Sequence, residues 1–594
     1  MKPTNLTIRD LITPDSKLTF LVGAGCSIDP PSCLPAGPAM MNAIIDYTCA
    51  ESEIEKVKKL DQLRFEALVE IIRDRLDPDL KIIDFYGLCD KPNIQHFFLA
   101  EMIKKGHFVM TTNFDFLIEQ ALLQSNVSKD DIEVVITKAD FEKFNNPNEL
   151  FEQGKKTVYK IHGSTKNIIS GEKTKDSLVA TIQAFGSNKE GENIFQIEPF
   201  KRLLFDNISN ERSLVVIGYS GSDDFDVVPT LKVLENLKNV IWINHIQNDN
   251  DREQIYEIDK STSQSLKKLE KKFKKVTQIL FEIWQMNNAE HIYRMDVNTP
   301  RIISKLMETK PKISLDNFSI NAMDWLKKNI ILPSEMMKYY ISHKIYWDLD
   351  IYDKAMTCSE NSLRIVEELG DLSGKATALN NIGAIYRAQG NYPEALKWYE
   401  EALQIDEQLG NLSGKAIRLN NIGTIYRAQG NYPEALKRYE EALQIAEQLG
   451  DLSGKATVLN NIGVIHYAQG NYPEALKRYE EALQIAEQLG DLSGKAIRLN
   501  NIGEIYRAQG NYLEALKWYE EALKINEQLG DLSGKAIRLN NIGLIHYAQG
   551  NYPEALKKLE EALEIFTGLG LSESPNAKNI KKNIKILKSK IPQN

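Results

Sequence analysis

The chain has 594 residues, 42% of them hydrophobic and 26% charged, with a formal net charge of -9. Those proportions suit a soluble protein of several domains. They give no electrostatic reason to expect nucleic acid or an anionic membrane as partner.

Five scattered cysteines, Cys26, Cys33, Cys49, Cys89 and Cys358, are never spaced C-x-x-C, which argues against a disulfide framework and a zinc knuckle. Met1 to Lys17 lacks the pattern of a secretory leader. No apolar run approaches the roughly 18 residues of a membrane-spanning helix, so a cytoplasmic protein is expected. The basic runs Lys267 to Lys275 and Lys578 to Lys590 read as solvated helix faces.

In chain order, the first 250 residues read as an α/β domain. Short apolar runs at Leu18 to Val22, Phe108 to Thr111, Val158 to Ile161, Leu214 to Ile217 and Val240 to Ile243 suit buried strands. Helix-like stretches such as Phe65 to Arg75 and Phe116 to Leu123 lie between them. The alternation predicts a doubly wound parallel sheet, whose ligands sit beyond the carboxyl ends of the strands.

Chemistry-bearing residues gather at those ends. The first strand runs into Gly23-Ala24-Gly25-Cys26-Ser27, a tight turn that can bring amides to a pyrophosphate. Short glycine turns of this kind are often only structural. The next strand ends in Thr111-Thr112-Asn113-Phe114-Asp115; Asn113 can orient a water or ribose hydroxyl, while Asn113 or Asp115 can equally cap a helix. The third delivers His162-Gly163, an imidazole that titrates near neutrality and suits a general base. The fourth brings Gly218, Ser220 and Ser222, with Asp223 and Asp224 as capping candidates, and the last ends in Asn244-His245.

Residues 251–332 are charged and read as a helical connector, and 333–370 as a degenerate capping repeat. From 371 to 570 the string N-N-I-G recurs at Asn380, Asn420, Asn460, Asn500 and Asn540, a strict period of 40 residues. Each unit carries two helix-period stripes. In the first, Leu379, Ile382 and Tyr386 precede the turn Gln389 to Pro393, and Ala395, Leu396, Tyr399, Ala402 and Leu403 follow it. Residues 571–594 suit a C-terminal capping helix, because a hairpin stack leaves an apolar face open at each end.

Gly383, Tyr386, Ala395, Tyr399 and Ala402 resemble the small and aromatic positions of the tetratricopeptide repeat. Leu379 stands where that family often has tryptophan, and the 40-residue length is similar to kinesin-light-chain-like arrays. The resemblance implies a protein-binding array whose inner wall is made by the first helix of each hairpin. Along that wall Ala384, Thr424, Val464, Glu504 and Leu544 differ in chemistry, and Arg387, Arg427, Tyr467, Arg507 and Tyr547 alternate cation and aromatic. The recurring asparagines either bond an extended peptide or stitch neighbouring hairpins together.

The order G-A-G-x-S, T-N-x-D, H-G, G-x-S and I-N between Lys17 and His245 resembles the sirtuin superfamily. That resemblance implies an NAD site with Asn113 and His162 as catalytic residues. Gly23, Ala24, Gly25, Ser27, Thr112, Asp115, Gly218, Ser220, Ser222 and Asn244 would bind the dinucleotide. Protein-deacylating sirtuins hold a zinc with two cysteine pairs after the histidine, whereas here no cysteine lies between Cys89 and Cys358. The G-I-P-D-F-R segment of those enzymes is replaced by Ile28 to Gly37.

The chain is therefore similar to bacterial sirtuin-like effectors of anti-phage defence. The expected function is metal-free NAD hydrolysis released by a protein trigger, such as a phage component, in a homo-oligomer. Deacylation, ADP-ribosyl transfer and non-catalytic NAD sensing are the rival expectations.

Overall fold

The computed structural model describes residues 1–13, 16–178, 199–219, 228, 231, 234, 236–247, 253–266, 269–286, 289–529, 531–568 and 574–590. The chain forms two compact units. The described residues of the first lie within 1–47 and 58–332, and those of the second within 48–57 and 333–594. Among the described residues no helix is long and apolar enough to cross a membrane.

Among the described residues nine strands build one sheet in the first unit: β1 Lys2–Pro3, β2 Leu18–Val22, β3 Phe108–Thr111, β4 Ile132–Val135, β5 Lys156–Lys160, β6 Ser213–Ile217, β7 Leu237–His245, β8 Gln254–Glu257 and β9 Ala289–Val297. Their order across the sheet is β1-β8-β9-β7-β6-β2-β3-β5-β4. From β9 to β4 every neighbouring pair is parallel; β8 is antiparallel to both β9 and β1. The expected parallel sheet is thus the body of a mixed one.

Alternation of side chains across the strands makes two cores. Phe20, Val22, Val109, Val158, Val215, Ile217 and Ile241 belong to one. Leu21, Met110, Tyr159, Val216, Val240 and Trp242 belong to the other. Helices cover both faces, as a buried parallel sheet requires.

Residues 251–332 correct the expectation of a helical connector. They supply β8 and β9, and β9 pairs with β7 over the length of the strand, from Leu237↔Ala289 to His245↔Val297. The charges that suggested a connector are partly internal: Arg294 and Asp296, both buried, pair at 2.8 Å within β9. Helix Lys271–Gln285 connects the two strands' region and packs Ile279, Leu280 and Ile283 into the sheet core.

The second unit is a run of antiparallel hairpins. A first one, Glu335–Asp348 and Tyr352–Leu369, stands where the degenerate repeat was expected. Five regular hairpins follow, from Leu372–Ala388 and Tyr392–Leu409 to Leu532–Ala548 and Tyr552–Gly568, and helix Pro575–Lys588 closes the series. Each regular second helix starts with Tyr followed in four of five cases by Pro, which is pre-set for a first helical turn.

The small positions are explained by contact. A Cβ on Gly383 would lie 2.9 Å from the ring of Tyr399, which is fully buried between the two helices. The asparagines settle their alternatives toward stitching. Asn421, Asn461 and Asn501 each donate to the asparagine of the preceding repeat, Asn380, Asn420 and Asn460, at 2.9 Å, and Asn541 donates to Asn500 at 3.0 Å.

Candidate functional site

The glycine loop after β2 is held against the end of β6. Gly23 N–H donates to Ile217 O, and Gly25 N–H to Gly218 O at 2.7 Å. Gly218 sits at φ +66, and a Cβ there would lie 2.5 Å from Cys26 N and 2.6 Å from its Sγ. Cβ atoms on Gly23 and Gly25 would meet Gly218 O at 2.6 and 2.7 Å. The glycines are therefore needed for backbone-on-backbone packing. Cys26 N–H is also spent, on Gly23 O. Ala24, by contrast, is exposed and opens the helical turn Ala24–Ser27, where an amide lacks an intrahelical partner.

Ser27 is the centre of a buried polar cluster. Its hydroxyl donates to Asp115 Oδ2 at 2.7 Å and lies 3.2 Å from His96 Nε2. His96 Nδ1 accepts from the Asn93 backbone N–H at 3.1 Å, so the neutral ring carries its proton on Nε2 and donates to Ser27. Burial lowers the His96 pKa to about 4, against an opposing pull from Asp115. Asn93, the cap of helix Ile94–Lys104, donates its amide to Cys26 O at 2.8 Å and ties that helix to the loop.

Asn113 joins the same cluster. Its Nδ2 faces Gly23 O at 3.3 Å and Ser27 Oγ at 3.4 Å. Because Gly23 O can only accept, the amide orientation is fixed. The other end is unmatched: Asn113 Oδ1 is buried without a hydrogen-bond partner among the described residues. An orphaned buried acceptor costs about 1–3 kcal/mol, and here it marks a place for a donor.

β3 and β5 are parallel neighbours with Thr111 opposite Lys160, so Asn113 and His162 each stand two residues beyond that pair at one edge of the sheet. The rings of Phe114 and His162 lie 6.5 Å apart. Asn113 and His162 are 6% and 3% exposed, a largely dehydrated setting for both. Lys160 is fully buried beneath them. It donates to the Asp115 carbonyl and pairs with Glu119 at 3.3 Å, which opposes the rise that burial imposes on the Glu119 carboxyl.

The remaining expected site residues are placed as follows. Thr112 Oγ1 reaches Val22 O at 3.4 Å. Asp115 is buried, and its Oδ1 accepts from Leu117 N–H, so its carboxylate organises Ser27 and a helix start. Asn244 donates to Asp296 across β7 and β9 at 3.0 Å. Ser220 and Ser222 lie outside the described residues.

His245 is exposed at the end of β7, close enough to Asp29 to counter the rise that burial gives that carboxyl. Gln95 donates to the same carboxylate at 2.8 Å. The loop after β2 and the end of β7 thus approach one another.

His96, Asn93, Gln95 and Lys160 are contributors that sequence reasoning did not single out. The pattern Asn93-x-x-His96 is a readable helix start, but nothing in it points to Ser27. A polar cleft of about 1150 Å³ lies near Lys17, Ser213, Leu237 and Ala289. Those residues mark the amino ends of the strands, so this cleft lies at the edge opposite Asn113 and His162 and is lined by none of the motif residues.

These features define an α/β domain with a buried polar site at the carboxyl edge of a parallel sheet, followed by helical hairpin repeats. Residues 107–258 match the SIR2-like domain. Residues 340–408, 416–488 and 496–568 match the tetratricopeptide repeat. The chain is a fusion of a sirtuin-like, NAD-associated domain to a tetratricopeptide array.

The glycine loop and β9 fall outside the SIR2-like match. No curated protein matches the chain. Among solved structures it is similar to BtubC (BKLC) from P. vanneervenii, with 20% identity over 37% of this chain and 92% of that one at a TM-score of 0.34. It is also similar to the apo form of RapI, with 15% identity over 43% and 98% at a TM-score of 0.33.

Proposed function

We propose that the first unit is an NAD glycohydrolase that cleaves the bond between nicotinamide and ribose, giving nicotinamide and ADP-ribose. The observation that supports this reading most directly is the buried, unpartnered Oδ1 of Asn113 beside the parallel-strand position of His162. NAD supplies a cationic pyridinium leaving group, so no metal is required for its departure.

Asn113 Oδ1 accepts a hydrogen bond from the attacking water, or from a ribose hydroxyl, and fixes its direction. His162 takes the proton released as the water's oxygen bonds to the ribose carbon. Ala24 offers its amide to the phosphates. Ser27, Asp115 and His96 hold the Asn113 amide in place, and Gly23, Gly25 and Gly218 hold the loop. Thr112 and Asn244 serve the dinucleotide site through the backbone of their strand ends, and Ser220 and Ser222 belong to the same proposed site.

The repeat array is the regulatory part. In this reading a protein trigger, such as a phage component, binds the array of a cytoplasmic homo-oligomer and releases NAD depletion as a defence.

The test is NAD turnover by mass spectrometry with wild type, Asn113→Ala and His162→Ala, each checked for folding. Equal release of nicotinamide and ADP-ribose that needs no acyl-lysine peptide, and is lost in both variants, is the expected result. Full turnover in either folded variant overturns the assignment, and strict dependence on an acyl-lysine peptide turns it into a deacylase.

A further inference from the structure

We infer that Phe318 and Trp325, on the stretch of chain that leads toward the repeats, are positioning residues for His162. They hold its ring through a file of packed aromatic side chains, and the same stretch is fastened to the loop that follows Ser27. The inference rests on the reading of His162 as the general base and adds the residues on which that base depends.

Between helix Thr299–Leu306 and helix Ala322–Asn329 the chain forms neither helix nor strand. Most side chains of residues 311–320 face solvent, Leu315 among them, and Phe318 alone is buried. A single buried ring in an exposed stretch is an anchor, because removing its apolar surface from water is favourable by itself.

The backbone around that ring is tied down as well. Phe318 N–H donates to Pro31 O at 2.8 Å, and Lys91 Nζ donates to Asn317 O at 3.2 Å. Lys91 is in turn bound to the residue after Pro31, since Ser32 Oγ donates to Lys91 O at 2.7 Å. Pro31 and Ser32 belong to the loop Ile28 to Gly37, which runs on directly from Ser27 and its bond to Asp115.

From the anchor the rings continue inward. Phe318 and Trp325 both meet Phe85, with centroids 5.9 and 5.7 Å apart, each edge to face. Phe85 meets Tyr86 at 5.9 Å, again edge to face; Tyr86 meets Phe114 at 6.2 Å, and Phe114 meets His162 at 6.5 Å. These spacings fall in the range at which aromatic pairs attract. Phe85 is fully buried and Tyr86 is buried. Rings packed at interior density do not shift one at a time, so a displacement of Phe85 is passed on to Phe114.

Phe114 follows Asn113 in the chain and packs its ring against His162, so the file ends at both groups assigned to the chemistry. A general base must keep its nitrogen in a fixed direction, and a misplacement of about 1 Å can cost up to about 10²-fold in rate.

The test uses the full chain with isotope-labelled histidine rings, the His162 resonance being assigned by its loss in His162→Gln. Phe318→Ala should move that resonance and leave those of His343 and His466, in the second unit, in place. In NAD turnover the same variant should lower kcat about 10-fold with KM changed by less than about 2-fold, the split expected when alignment rather than binding is lost. Trp325→Leu, at a half-buried position, reads the file from its other ring and decides the question where Phe318→Ala does not fold. Leu315→Ala, on the same stretch, should change nothing. Leu280→Ala, in the core that holds Trp242, is the control for lost stability.

A His162 resonance that stays in place in the folded Phe318 or Trp325 variant overturns the inference, as does an equal movement in Leu280→Ala. So does a moved resonance with unchanged kcat. Absence of NAD cleavage by the wild type overturns the hydrolase reading instead, and the ring resonances alone then decide whether the file holds His162.

Discussion

At the carboxyl edge of the sheet, Asn113 holds a buried carbonyl that no described residue meets, whereas along the array Asn421, Asn461, Asn501 and Asn541 each hand their amide to the repeat before. The same side chain is left incomplete where it occurs once and satisfied where it recurs. A buried unmet acceptor lowers stability, and persists where the surroundings fix it and a bound molecule completes it. At the stitches repetition spreads small, complete interactions over several joints, while at the sheet edge a single asparagine keeps one acceptor unmet.

The sharpest way to break that comparison is Asn113→Ala. Removing a directed polar group from a dry site should reduce NAD turnover by about 10²–10³-fold. Removing the unmet acceptor offsets the loss of the two long bonds that Nδ2 donates to Gly23 O and Ser27 Oγ, so the melting temperature should change little. If the variant instead keeps its turnover and loses stability, the asparagine is a structural strut like its counterparts in the array.

Glycine sharpens the contrast at the level of the backbone. Gly218 and Gly390 share a left-handed conformation, at φ +66 and +76. Gly218 is pressed against Cys26, while a Cβ on Gly390 would meet nothing within 4 Å. Gly218→Ala should therefore cost about 3 kcal/mol or more through clash added to strain. Gly390→Ala should cost only the conformational part, about 1–2 kcal/mol. Urea unfolding midpoints of the two variants decide it.

The legibility of the two regions differs for related reasons. A strict 40-residue period showed the hairpins, their turns and even the degenerate leading unit, because every repeat repeats the same solution. In the sheet, β2, β3, β5, β6 and β7 were legible as apolar runs. β9 was not, because Arg294 and Asp296 neutralise each other inside it and read as surface charge in the sequence. β4, four residues long with Glu133 in it, gives too short a pattern to stand out.

At the site, strand ends located Asn113, His162 and the glycine loop. His96 and Asn93 were missed because their role depends on a helix returning to Ser27 from 69 residues away. The loop glycines, expected to bring amides to a phosphate, also let the backbone of Gly218 pack close.

Acid should separate the two regions next. His96 and His107 are buried in the first unit, and burial lowers both to about 4. With folded values below the unfolded one of roughly 6.5, only the unfolded chain takes up these protons between about pH 6.5 and 4. Stability is thus fully present above the unfolded value and is lost as pH falls through that window, by about 2 kcal/mol per group at pH 5.

In the five regular repeats, burial lowers His466 less strongly, and the leading hairpin holds His343 at about 4. Calorimetry between pH 7 and 5 should show the transition assigned by Gly218→Ala falling faster than that of the regular repeats. Parallel shifts would mean that the two regions share one cooperative unit.

The smallest effect tests the array side of the comparison. Asn421→Ala removes one stitch, leaving Asn380 Oδ1 without its 2.9 Å donor. That acceptor is half-buried, so water can replace the lost bond, and the cost should be about 0.5–1 kcal/mol. Because hairpins contact mainly their neighbours, the loss should be confined to the joint between the first and second regular repeats. Hydrogen exchange should quicken in Leu372–Ala388 and Leu412–Ala428 and stay unchanged in Leu532–Ala548. Uniform quickening across all five repeats would mean that the stitches act together as one ladder, and the array would then resemble the single site more than its periodicity suggests.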